Sequence, residues 1–378
     1  VAEDAPPGGP VRRWIGRIRA VDYPALAIAL AIGTGGGALF AWAQMPLAWM
    51  IGAMLFTTAA SLAGERLPVP RLAVPKGLRA FMVMVLGIML GSRFEPEILD
   101  HLDRWAISLA VLPFYILLCI GIGLVYLRRV ARYDAVTAFF TATPGGFNEM
   151  VMVGGSLGGD ERRIALSHSL RIMLVVFTVP VWFQLLGAYA AGDRAPLGPP
   201  LGALAPVDLV LLAACAIGAP IARVLKIPAS ALIGPMVLSA AIHLAGLTAG
   251  SPPGILIAAA QIVVGAAIGC RFVGIGLAVV AKVALVAAGL TALLLVAAVA
   301  FSWALHFATG LPTAELILAY APGGLAEMSL VALALGVDAA FVSTHHVVRI
   351  FLIVTFAPLA FAFGSRLAGR SRQVPEED

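Results

Sequence analysis

Shifting this chain against itself by 178 positions brings rare residues into register without a gap. Gly87, Gly91, Arg93 and Phe94 fall on Gly265, Gly269, Arg271 and Phe272. "TPGGFNEM" (143–150) falls on "APGGLAEM" (321–328), and Asp160, His168, Arg171 and Pro180 fall on Asp338, His346, Arg349 and Pro358. Upstream, "PLAWMIGAML" and "PASALIGPMV" agree at a shift of 182. Self-similarity of this kind governs every later statement about fold. The chain is two copies of one unit, joined by the Pro-rich "GDRAPLGPPLGALAP".

Composition says what sort of unit it is. Of the 378 residues, 61% are hydrophobic and 12% are charged, with a mean hydropathy of +0.99. A soluble domain carries roughly twice that share of charge, whereas apolar runs of about 20 residues suit a bilayer. Such runs fill 22–190 (first repeat) and 206–365 (second repeat), with 191–205 as linker. They leave a basic segment at 1–21 and a tail at 366–378, too little for a receptor or a tethered DNA-binding domain. The net charge of +5 fits the Lys/Arg excess of cytoplasmic loops, not nucleic-acid binding. Cys119, Cys215 and Cys270 are far apart and lack metal-ligand spacing.

Each half reads as five long apolar segments plus one interrupted at Pro-Gly-Gly (135–158 and 313–336). If the interrupted segment turns back, twenty Lys/Arg lie inside and three outside (Arg93, Arg104, Arg194). If it spans, the division becomes fifteen and eight. The positive-inside rule favours the first. The expected fold is therefore an all-α polytopic membrane protein of two inverted repeats. Each has five transmembrane helices and a re-entrant, broken Pro-Gly-Gly helix. Both termini are cytoplasmic in a bacterial inner membrane, and faces rich in Gly and Ala point to a homodimer.

Irregular backbone at membrane depth survives only where protein or a wet cavity satisfies it. A Pro-Gly-Gly break followed by a half-helix aims a positive helix terminus at the tip. In matching places of inverted repeats, such breaks mark substrate and ion sites. Gly146 lies twelve residues from Gly158, about 18 Å of helix, so the tip sits near mid-bilayer. Asp160 and Asp338 read as N-caps. Arg171 lies eleven residues further on, about 16 Å in, with His168 on the same face; His346 and Arg349 repeat this. Glu149 and Glu327 either complement the first turn of their half-helices or carry a coupling proton or cation. The arginines either pair with those glutamates or grip a carboxylate, and the histidines either relay protons or are bonded core groups. Thr143, Gly145, Gly146, Asn148, Gly323 and Gly324 line the two tips; Asn148 answers Ala326, so the pair is not symmetric.

The duplicated unit, its "PGG..EM" element and the downstream "HSLR" and "HVVR" resemble the AbrB-type duplicated membrane family. That family is often labelled AbrB-like regulator or ammonia monooxygenase. The resemblance covers about residues 25 to 365. A small soluble DNA-binding regulator shares the name, and no segment here is similar to it. More distantly, opposed re-entrant elements are similar to those of elevator-type carriers of organic anions, a fold-level analogy. The expected function is secondary transport of a small organic anion, coupled to protons or sodium, with no other cofactor and no metal. One repeat-derived body would move past the other. A ligand-binding membrane sensor is the alternative. An enzyme is not expected: a copper or iron oxygenase needs clustered ligands, and among six histidines only His345 and His346 adjoin, about 100° apart on a helix.

Overall fold

The computed structural model describes residues 22–64, 71–186 and 197–371, and these are helical with no strand among them. The expected N-terminal segment, residues 187–196 around the start of the linker, and the tail from 372 lie outside the described residues. The first half holds α1 (Tyr23–Trp42), α2 (Ala48–Ala63), α3 (Lys76–Gly91), α4 (Leu102–Arg129), α5 (Ala135–Ala142), α6 (Phe147–Ser156) and α7 (Glu161–Leu185). The second holds α8 (Pro206–Ala214), α9 (Gly218–Val224), α10 (Ser230–Leu244), α11 (Gly254–Gly269), α12 (Leu277–Thr309), α13 (Thr313–Tyr320), α14 (Leu325–Ala334) and α15 (Ala339–Ser371).

By length and composition, seven helices among the described residues can cross a membrane: α1, α4, α7, the broken α8–α9 stretch, α11, α12 and α15. The other segments expected to cross, α2, α3 and α10, have 16, 16 and 15 residues. At 1.5 Å per residue they reach only about 22–24 Å. Large apolar side chains such as Trp42, Leu185, Leu285 and Phe307 stand exposed around the outside, as lipid contact requires.

Helix starts follow local chemistry. Asp22, Asp134 and Asp160 each accept a hydrogen bond from the backbone N–H three residues on, at 2.8–3.0 Å, and Asp338 accepts from Ala340 and Phe341. These bonds satisfy donors that a helix start leaves orphaned. The N-cap reading of Asp160 and Asp338 holds.

Both Pro-Gly-Gly motifs break a helix where expected, between α5 and α6 and between α13 and α14. The first segment folds back on itself, because the Asp160 N–H after α6 donates to Thr137 Oγ1 at the start of α5, 2.8 Å away. The two tips differ in backbone. Gly145 and Gly146 have φ of +152° and +61°, conformations open to glycine and costly for other residues. Gly324 has φ −84°, which any residue adopts.

Packing divides the molecule across the repeats, not between them. One body gathers α1–α3 with α8–α11, and the other gathers α4–α7 with α12–α15. Within the first body the repeats exchange helices: α3 packs on α10, and α11 packs on α2. A methyl on Gly87 would overlap the Leu232 carbonyl, and one on Gly265 would crowd the Met50 carbonyl. Gly87 and Gly91, four apart like their twins, permit this close approach. These small-residue faces are therefore used inside the chain. The bodies meet through α3 against α14 and α15, and through α2 against α7. Each repeat is thus divided between both bodies.

Candidate functional site

Each hairpin is held by a buried histidine–arginine pair from the helix that follows it. In the first half, His168 Nε2 lies 2.9 Å from the Phe140 carbonyl, and Arg171 Nη1 donates to the Thr141 and Thr143 carbonyls at 3.3 and 3.2 Å. In the second, His346 Nε2 lies 3.0 Å from the Leu318 carbonyl, and Arg349 donates to the Ala321 and Gly323 carbonyls at 2.7 and 2.8 Å. Within each pair the arginine Nη2 meets the histidine Nδ1, at 2.9 and 2.6 Å. The broken backbone has exposed its carbonyls, and the guanidinium donors satisfy them.

This geometry fixes the histidines. A carbonyl only accepts, so Nε2 carries the hydrogen. A guanidinium only donates, so Nδ1 accepts. Both rings are neutral, with every polar atom engaged. They are bonded core groups of this conformation, and the relay reading gains nothing from it.

The arginines are a different matter. Arg171 is 4% exposed and Arg349 1%, they lie within electrostatic reach of each other, and neither is ion-paired. Among the described residues the one ion pair is Arg163–Asp160, at a helix end. Of the two readings of Arg171 and Arg349, the pairing with Glu149 and Glu327 is not formed. Those carboxylates are half-buried in the first turns of α6 and α14. There they complement the dipole without a side-chain capping bond. Nε of both arginines is buried and unbonded. A methyl added to Gly145 would come 3.1 Å from Ile353 Cδ1 and 3.9 Å from Arg349 Nε, so one tip packs closely against the helix whose arginine anchors the other.

Thr143 is buried, its carbonyl on Arg171 and its hydroxyl donating to Phe139 at 2.8 Å. Asn148 is exposed beside the tip. Gly146 packs near Val354 and Glu149, Gly323 near Met328, and Gly324 under the Glu327 carboxylate.

Arg271 is a site residue that reasoning from the sequence left among the repeat matches. Its guanidinium sits 4.1 Å from the Phe147 ring centroid, donates to Ser169 Oγ at 3.1 Å and lies within electrostatic reach of Glu327. It thereby touches the first tip and senses the second. The signal was the repeated Arg-Phe pair at 93–94 and 271–272, but only the second copy finds an aromatic partner, because Phe147 answers Leu325.

With this arrangement in view, the comparisons with known proteins are specific. Residues 49–364 match a family model described as "Transition state regulatory protein AbrB". The chain belongs to the AbrB family. It is 29% identical over 368 residues to the uncharacterized protein YhjN of Bacillus subtilis (strain 168), covering 91% of this chain and 94% of that one. It is 27% identical over 351 residues to the putative regulator AbrB of Escherichia coli (strain K12), covering 91% and 95%. The matched region takes in both Pro-Gly-Gly hairpins and both histidine–arginine pairs, so the site described here lies wholly within the AbrB unit.

Proposed function

We propose that this AbrB-family protein is a secondary transporter of a small organic anion, with the carboxylate bound between the two Pro-Gly-Gly tips. The observation that carries the reading is the pair of buried guanidinium groups, Arg171 and Arg349, without a carboxylate partner and each with an unbonded Nε. Unpaired buried charge is costly and calls for a counter-ion. A carboxylate supplies both charge and acceptors. The folded-back hairpins and the uneven Lys/Arg distribution support two inverted repeats in a bacterial inner membrane with cytoplasmic termini. Glu149 or Glu327, each half-buried, carries the coupling proton or holds sodium.

Flux in liposomes tests this. Purified protein should accumulate a small carboxylate against its gradient when a proton or sodium gradient is imposed. Glu149→Gln or Glu327→Gln keeps shape and hydrogen bonding but cannot titrate, so counterflow should persist while gradient-driven uptake disappears. Normal driven uptake in both variants would remove the glutamates from coupling. A second reading, a membrane sensor, draws on the regulatory name printed for the E. coli relative. It predicts binding without flux.

A further inference from the structure

A third histidine, His345, adjoins His346 in sequence but is bonded differently. It is fully buried, with Nδ1 2.9 Å from the Phe341 carbonyl and Nε2 2.9 Å from Ser108 Oγ on α4. The carbonyl partner requires Nδ1 to donate. The serine leaves Nε2 open, because a hydroxyl both donates and accepts. That hydroxyl also has a second acceptor, the Trp105 carbonyl at 2.9 Å. With a neutral ring, the serine hydrogen is on Nε2. With a charged ring, Nε2–H donates to Oγ and the serine hydrogen turns to Trp105. The added proton reverses one bond and completes a third.

His168 and His346 have no such freedom. A proton on Nδ1 of either would expel the arginine Nη2 that it accepts from and press two cations together. His345 stands apart from them in this respect. It also answers Ser167 in the first half, so any proton binding there breaks the two-fold likeness of the repeats.

The surroundings tie His345 to the second hairpin. From α13, the Tyr320 ring lies 6.0 Å away and its hydroxyl donates to the Ser108 carbonyl. From α4, the Tyr115 hydroxyl donates to the Tyr320 carbonyl at 2.9 Å, with Cys119 one turn further along. On α15 itself are His346, whose ring stays neutral, and Arg349, the charge with which a protonated His345 shares the site. The Phe341 ring, centroid 4.1 Å away, offers a π-face to a cation.

We infer that His345 is a proton-binding residue, with Ser108 as the rotating partner that accommodates the proton. The inference rests on and deepens the proton-coupled reading above, since it places a proton beside Arg349 and on a bonded path to Tyr320 at the base of the second tip. Its chemistry stands on geometry alone and can be tested without transport.

The test is 15N NMR of histidine-labelled full-length protein in lipid nanodiscs, titrated from about pH 8 to about pH 5. The expected result is that His345 passes from one protonated nitrogen to two, while His168 and His346 keep a single neutral tautomer throughout. Ser108→Ala removes the acceptor for Nε2–H and should move the His345 transition down by about one to two pH units. That shift identifies its resonances, and the readout needs no substitution at His345 itself. A His345 that stays neutral across the range, or an unmoved transition in Ser108→Ala, would overturn the inference. Proton uptake at His345 in a protein that moves no carboxylate would sink the transport reading and leave this one standing.

Discussion

Arg349 uses its two terminal nitrogens on the backbone of its own hairpin and leaves Nε facing the other. The residues of this site were legible in the sequence because they are ionisable groups in apolar sequence, repeated at one offset. Their partners were not. Glu149 was one candidate mate for Arg171, yet the carbonyls freed by the break take the guanidinium instead. Breaking the helix creates acceptors that a periodicity argument does not count. Glu315, outside the seven long helices and at the open end of the second hairpin, yields a prediction at this scale. Burial, then the nearby Asp338 carboxylate, push its carboxyl from the usual 4.5 up to about 7. The folded state therefore holds a proton that the unfolded state releases. This contribution to stability is fully present below about pH 4.5 and is lost as the pH rises through about 7. Glu315→Gln should match the wild type in melting temperature at low pH and exceed it increasingly across that window. Parallel curves would mean that Glu315 titrates normally.

The first hairpin behaves as an element with two fastenings, one at the tip and one at the base. At the tip, arginine donors hold the carbonyls. At the base of the first, Asp160 caps α7 through its side chain while its own N–H donates to Thr137. The sequence announced the cap and the break, since Asp before a helix and Pro-Gly-Gly inside apolar sequence each have a local cause. The tie to Thr137 and the left-handed glycines of only the first tip depend on tertiary packing and left no local mark. Asp160→Ala should lower stability by about 1 kcal/mol through the lost cap, whereas Thr137→Val removes the base tie and leaves the cap intact. Hydrogen exchange should then quicken in α5 and α6 for Thr137→Val and at the first turn of α7 for Asp160→Ala. Equal exchange in both variants would show that the base is not fastened in this way.

At the scale of the molecule, duplication was plain from one offset, but the sorting of helices into two bodies was not. Glycines spaced four apart announce close packing without naming the partner, and Gly87 finds Leu232 in the other half. If transport is movement of these bodies, two cross-links separate the accounts, in a background without the three native cysteines. Gly33→Cys with Ala266→Cys joins the two repeats inside one body, at a Cβ separation of 3.6 Å, near the disulfide norm. It should leave transport intact. Thr58→Cys with Met173→Cys, bridged by a short reducible dithiol cross-linker, joins the two bodies inside one repeat, where Oγ1 and Sδ lie 3.8 Å apart. It should stop transport until reduced. The reverse pattern would support motion of one repeat past the other. The central claim, an anion held by unpaired arginines, is tested most directly by electron microscopy of the protein with a small carboxylate. Density beside Gly145, within hydrogen-bond reach of Arg349 Nε and lost in Gly145→Ala, is the predicted result. Glu149 or Glu327 turned onto the arginines, with nothing bound between the tips, would contradict it.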